Sequence, residues 1–150
     1  MNCFNLCRLC NTKEWSEMRN YLSSDAAEEE KKSNIMYHGF YGTCLHAAVY
    51  RDAPADIIKA MIDIGGKRLV MKIDVVDGTV LHTACMNGAS YNIIKMLIDV
   101  GGKDLIMAKN NDGNTALHWL YPFIEGHTKA AEIIKLFLQI GDANLLLSAK

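Results

Sequence analysis

A chain of 150 residues, half of them apolar and 22% charged, suggests one domain and excludes wholesale disorder. Sixteen Lys and Arg against 17 Asp and Glu leave a net charge of −1, without the basic surplus that nucleic acid or a polybasic membrane anchor requires. No run reaches the roughly 18 apolar residues of a membrane span. The N-terminus lacks the apolar core of a signal peptide, and five cysteines without a regular framework indicate a reducing, intracellular compartment, cytoplasmic or nuclear.

Residues 1–32 read as two short helices. Phe4, Leu6, Cys7, Leu9 and Cys10 supply the apolar face of the first, and Asn11-Thr12 the turn. Trp15, Met18, Tyr21 and Leu22 supply the face of the second, with Glu14, Glu17 and Arg19 turned outward. The polar stretch 23–33 reads as a loop.

A repeated unit follows. Thr-x-Leu-His occurs as Thr43-Cys44-Leu45-His46, Thr79-Val80-Leu81-His82 and Thr115-Ala116-Leu117-His118, at intervals of 36 residues. A second motif, Ile-Ile-Lys, begins at Ile57, Ile93 and Ile133, so four residues are inserted within segment 121–127 of the third unit. Each unit predicts helix, tight turn, helix and a long extended connection. The threonines suit N-caps, and Asp52, Gly88 and Gly126 mark the turns. Pro54 fits the first turn of a helix. Ile57, Ile58, Met61 and Ile62 form a broad apolar face, while Lys59/Asp63 and Lys95/Asp99 lie four apart on the solvated side. Gly65-Gly66 and Gly101-Gly102 are expected to stop the second helices in left-handed conformations. One unit cannot bury its own apolar face, so the units must stack into an all-α solenoid.

These motifs resemble the ankyrin repeat, whose signature is Thr-Pro-Leu-His-x-Ala after an Asp/Asn-rich hairpin turn. Residues 110–118 match best, while 77–82 and 41–46 match more loosely. Cys44, Val80 and Ala116 stand where the signature has proline. The units are longer than the family's usual length of about 33 residues. One extra residue falls between the helices and two in the hairpin connection. The resemblance divides the single domain into an N-terminal capping repeat with an acidic loop (1–33) and repeats at 34–69, 70–105 and 106–150. The last carries the insertion and has no evident cap, and its sequence begins another hairpin after Gly141. Two expectations attach to that end: continuation in a longer parent, or coverage by a copy of the chain through Phe137, Ile140, Leu145, Leu146 and Leu147.

Candidate chemistry is sparse. His46, His82 and His118 recur one repeat apart, about 10 Å in a stack of helices and too far to share a metal. The resemblance gives them a structural role beside the threonines. Cys7-x-x-Cys10 with Cys3 is half of a zinc or redox site, yet the same spacing makes a core-facing stripe, and only His38 offers a distant fourth ligand. Cys44 and Cys85 read as small core residues. The chain has no Gly-x-Ser-x-Gly, phosphate-cradling loop or His-Glu-x-x-His, so neither an enzyme nor a cofactor is expected.

What the resemblance implies is a protein-binding groove lined by hairpin tips and first helices. Its positions here are Tyr37, Phe40, Tyr41, Tyr50 and Arg51 in the first unit. Ile73, Val75, Val76, Met86 and Asn87 follow in the second, and Lys109, Asn111, Asp112, Tyr121 and the inserted Phe123 in the third. Tyr50, Arg51, Met86 and the Phe40-Tyr41 pair are the expected anchors, by their residue types.

Overall fold

The computed structural model describes residues 3–39, 41–120 and 128–141, with side chains from Leu6 onward in the first segment and from Ala130 in the last. Two rows of helices run through it. The inner row comprises α1 (Cys3–Thr12), α4 (Cys44–Tyr50), α6 (Val80–Met86) and α8 (Ala116–Leu120), each packed on the next. The outer row comprises α2 (Trp15–Ser23), α5 (Ala55–Val70), α7 (Tyr91–Met107) and α9 (Thr128–Gly141). The core lies between the rows. Ile57, Ile58, Met61 and Ile62 of α5 are buried there, as are Ile93, Ile94, Leu97 and Ile98 of α7. Each such side chain contributes about 1.5–3 kcal/mol by leaving water.

Inner and outer helices join through a residue with positive φ: Lys13 at 59°, Asp52 at 59° and Gly88 at 66°. The first of these corrects the expected turn at Asn11-Thr12. Both residues belong to α1, because the Thr12 hydroxyl donates to the Arg8 carbonyl at 3.0 Å and the left-handed residue comes one position later.

A second correction concerns residues 23–33. Only 24–26 form a bend. From Glu28 the chain forms another helix, α3 (Glu28–Met36), which crosses the expected boundary at 33/34 and packs on α1 and α5. Glutamates 28, 29 and 30 favour its N-terminal end. Lys31 and Ile35, four apart, share its buried face. The Lys31 ammonium donates to the carbonyls of Leu22 (3.0 Å) and Ser24, where α2 ends. A charge run that reads as solvated loop is thus a helix tied down by one isoleucine and one lysine.

The glycine pairs act differently from the expected helix stop. Only the second glycine of each pair has positive φ, Gly66 at 58° and Gly102 at 65°, with ψ of −158° and −154°, well outside the left-handed helical region. The chain breaks there and then resumes helix. Leu69, Val70, Leu105 and Ile106 of the resumed turns are fully buried. The connection predicted to be extended is therefore largely helical, and its apolar residues extend the core.

Short hairpins follow. The first pairs β1 (His38–Gly39) with β2 (Gly42–Thr43), in the register His38 to Thr43 and Gly39 to Gly42. The second and third close by single bridges, Ile73 to Thr79 and Lys109 to Thr115. The later hairpins stack directly, with the Asn111 N–H donating to the Val76 carbonyl at 3.0 Å.

On the outer surface, Lys59–Asp63 and Lys95–Asp99 form the expected ion pairs within a helix. Arg19–Asp56 and Lys67–Asp104 bridge neighbouring units. All are exposed, so solvent screening leaves each with little effect on stability. At the C-terminal end Phe137 is fully buried and Ile140 packs against the core, so Phe137 does not offer the exposed face expected for self-association. Leu145, Leu146 and Leu147 lie outside the described residues.

Candidate functional site

Each Thr-x-Leu-His motif starts an inner helix and fixes the hairpin before it. The threonine is the N-cap, and the histidine sits three residues on. His46 Nδ1 accepts from the Thr43 N–H at 3.2 Å, with the Thr43 hydroxyl at 2.9 Å. His82 and His118 repeat this with Thr79 and Thr115. Because Nδ1 must accept a backbone N–H, the proton resides on Nε2. From there His46 reaches the Gly78 carbonyl at 3.3 Å, and His82 the Asn114 carbonyl at 3.0 Å. Each imidazole thus joins its own helix cap to the next unit's hairpin. His118 Nε2 is buried and has no partner among the described residues. Burial holds His46 down at about 4 and lowers His82 as well, so both rings stay neutral and structural.

The second and third hairpins are shaped by an acceptor side chain five residues before the threonine. Asp74 Oδ1 accepts from the N–H groups of Val76 and Gly78, both at 2.9 Å. Asn110 Oδ1 does the same for Asp112 (3.1 Å) and Asn114 (2.9 Å). His38 occupies that place in the first hairpin, which closes more tightly, and its Nε2 lies 2.7 Å from the Ile73 carbonyl. Replacing Asp74 by alanine leaves two N–H groups without their acceptor and is expected to cost about 1–2 kcal/mol in urea denaturation. Asp74→Asn keeps the acceptor, as Asn110 does, and should remain within about 0.5 kcal/mol of wild type.

Between these hairpins and the inner helices lies a cleft of about 650 Å³. Tyr37, Tyr41, Tyr50, Arg51, Val75 and Met86 line it, so six of the expected binding positions converge. Arg51 lies over the Tyr50 ring, 5.5 Å from its centre, and its Nε donates to Asn11 Oδ1 at 3.4 Å. Eight large hydrophobic side chains are exposed among the described residues, and five of them line this cleft: Tyr37, Tyr41, Tyr50, Val75 and Met86; Ile73 and Val76 are exposed outside it. Tyr41 at 75% and Val75 at 62% protrude most.

Other expected positions fall elsewhere. The Asn87 amide donates to the carbonyls of Val49 (3.3 Å) and Tyr50 (3.1 Å), so it serves as a bridge at the end of α4. Val76, Asn111 and Asp112 are exposed at hairpin tips but do not line the cleft, and Lys109 is likewise exposed outside it. Phe40, Tyr121 and Phe123 lie outside the described residues, as does the turn expected at Gly126. Sequence reasoning missed the floor of the cleft, where Cys7 and Asn11 of α1 meet Ala47 and Thr83. Its only signal was the position of α1 as the first inner helix. Cys7 and Cys10 both face α4, and the side chain of Cys3, the third member of the cysteine set, lies outside the described residues; among those described, no three His, Cys, Asp or Glu side chains gather as metal ligands. No described helix is long and apolar enough to cross a membrane.

A family model described as ankyrin repeats, in three copies, matches residues 45–146. No curated protein sequence matches the chain significantly. Among solved structures, the ankyrin repeat domain of Bcl-3, described as a unique member of the IkappaB protein family, aligns at 20% identity with a TM-score of 0.66. The alignment covers 89% of this chain and 55% of that one, so the chain spans about half of its length. A chain in the crystal structure of yeast ribosomal protein Rps3 in complex with its chaperone Yar1 aligns at 15% identity and a TM-score of 0.68, covering 91% of both. At these identities the likeness concerns the fold.

Proposed function

This chain belongs to the ankyrin repeat family, and we propose that it is a protein-interaction scaffold whose partner seats in the cleft between the first two hairpins and helices α1, α4 and α6. One observation carries this reading: five of the eight exposed large hydrophobic side chains among the described residues line this one cleft. Exposed apolar surface on a folded domain is normally scattered, and its concentration beside a cleft marks a contact surface. Tyr50, Val75 and Met86 would hold an aliphatic or aromatic side chain of the partner, and Arg51 a neighbouring carboxylate. The cleft is shaped by fixed hairpins, which limits the ordering cost of association. The role is one of binding rather than catalysis, in the cytoplasm or nucleus.

The test is a quantitative pull-down from native lysate, comparing wild type with Tyr50→Ala/Arg51→Glu/Met86→Ala. Circular dichroism first establishes that the variant keeps its helices. The reading expects a small set of proteins bound to wild type and reduced at least about tenfold with the variant, since an anchor residue is worth some 2 kcal/mol. Equal recovery by both would refute it.

A further inference from the structure

One cleft-lining thiol, Cys7, is paired with a fully buried one, Cys44, and the proposed binding role uses neither. Cys7, on α1, is half-buried and lines the cleft. Its Sγ lies 2.9 Å from Sγ of Cys44, the first residue of α4, in hydrogen-bond contact. Cys44 also points its thiol at the Asn34 carbonyl, 3.8 Å away, and Cys10 donates to the Cys44 carbonyl at 3.6 Å. Cys7, Cys10, Cys44 and Cys85 are thiols rather than halves of disulfides. We propose that Cys7 and Cys44 are a peroxide-sensitive dithiol that closes to a reversible disulfide, locking the N-terminal unit to the first repeat.

Three features separate this pair from ordinary core cysteines. First, the sulfurs need to approach by under about 1 Å to reach the bonding distance of about 2.05 Å. Second, one of the two residues is open to solvent in part: Cys7 is half-buried and lines the cleft, and the hairpin residue beside its sulfur is Gly39, which has no side chain. Third, the pair is polarised. The hydrogen bond from Cys44 lowers the Cys7 thiol, against a smaller opposing effect of burial. Cys10 and Cys85, which burial pushes up to about 12, remain protonated and enclosed.

The chemistry is a two-electron oxidation of the thiols by a hydroperoxide. The Cys7 thiolate attacks one peroxide oxygen, the O–O bond breaks, and the departing alkoxide or hydroxide takes up a proton, leaving a sulfenic acid on Cys7. Cys44 sulfur then attacks the Cys7 sulfur. The S–O bond breaks, and the hydroxyl leaves as water with the Cys44 proton. In total, two thiols and one hydroperoxide give one disulfide, one alcohol or water from the peroxide, and one water. Two equivalents of a small thiol reverse the reaction by exchange and leave as their own disulfide. Disulfides in reducing compartments are typically of this transient kind.

The experiment uses the full chain with Cys3→Ser, which leaves four cysteines and removes a competing thiol from α1. The folded protein is treated with hydrogen peroxide, denatured, and its free thiols counted with and without prior reduction. The expected result is a fall from four thiols to two, restored by dithiothreitol, with tryptic peptides 1–8 and 33–51 joined. Adding Cys7→Ser or Cys44→Ser should abolish that joined species. Peroxide treatment that leaves four thiols, oxidises Cys7 to sulfinic acid without cross-linking, or joins peptides containing Cys10 or Cys85 would overturn the proposal. The parent protein decides the matter even if a serine variant folds poorly.

Discussion

Gly101→Ala is expected to be among the most damaging single-methyl additions, lowering unfolding free energy by about 3 kcal/mol. A Cβ at Gly101 would lie 2.5 Å from both Cβ and Cδ2 of Leu105, and at Gly65 it would meet Leu69 in the same way. These leucines cannot swing aside, because both are fully buried in the core. The second glycines provide the control. A Cβ at Gly102 meets nothing within 4 Å, so Gly102→Ala suffers only from its backbone, at φ 65° and ψ −154°. That strain is worth about 1–3 kcal/mol, partly offset by about 0.4–1 kcal/mol from stiffening the unfolded chain. Urea denaturation of the two variants should therefore rank Gly101→Ala as the more destabilised. Equal midpoints, or a Gly101→Ala variant within 1 kcal/mol of wild type, would mean that the helix can reopen at the glycine pair without disturbing Leu105.

That pair also shows where sequence reading stops. Two adjacent glycines after an apolar helical period announce a break, and a break is present at Gly66 and Gly102. The residues cannot announce that helix resumes beyond it, because the resumed turn forms to bury Leu69 and Val70 against neighbouring units. Helix α3 is hidden for a related reason. Its composition is that of a solvated segment, and it is fixed by tertiary partners, namely the α2 carbonyls for Lys31 and the core for Ile35. Features confined to one unit are legible: the capping threonines, the N3 histidines and the four-apart ion pairs all depend on local spacing. The candidate cleft is legible in proportion. Tyr50, Arg51 and Met86 follow from their place in the repeat, whereas the apposition of Cys7 and Cys44, 37 residues apart, follows only from stacking α1 on α4.

The threonine–histidine caps make stability depend on mild acid, chiefly through His46. In the folded chain its Nδ1 accepts the Thr43 N–H and its Nε2 donates to Gly78, while burial penalises the cation. Protonation at Nδ1 would direct a second hydrogen at a backbone donor. The folded imidazole therefore resists protonation down to about 4, despite a favourable field from Asp74, whereas the unfolded one titrates near 6.5. Between those values the unfolded chain binds the extra proton, so stability is fully present above pH 6.5 and falls as pH drops toward 4. The expected loss is about 3 kcal/mol from His46, with His82 acting in the same direction. The lowered carboxylates Glu14, Asp56 and Asp104 start from 3.8 to 4.5 and lie at the surface in solvent-screened pairs, so they act at lower pH and weakly. Urea midpoints measured from pH 7.5 to 4.5 should fall steadily for wild type. His46→Asn should be less stable at pH 7.5 but show a shallower decline, since one proton has been removed from the linkage. An unchanged slope would show that His46 already titrates normally in the folded chain, and that the buried cap is open to water.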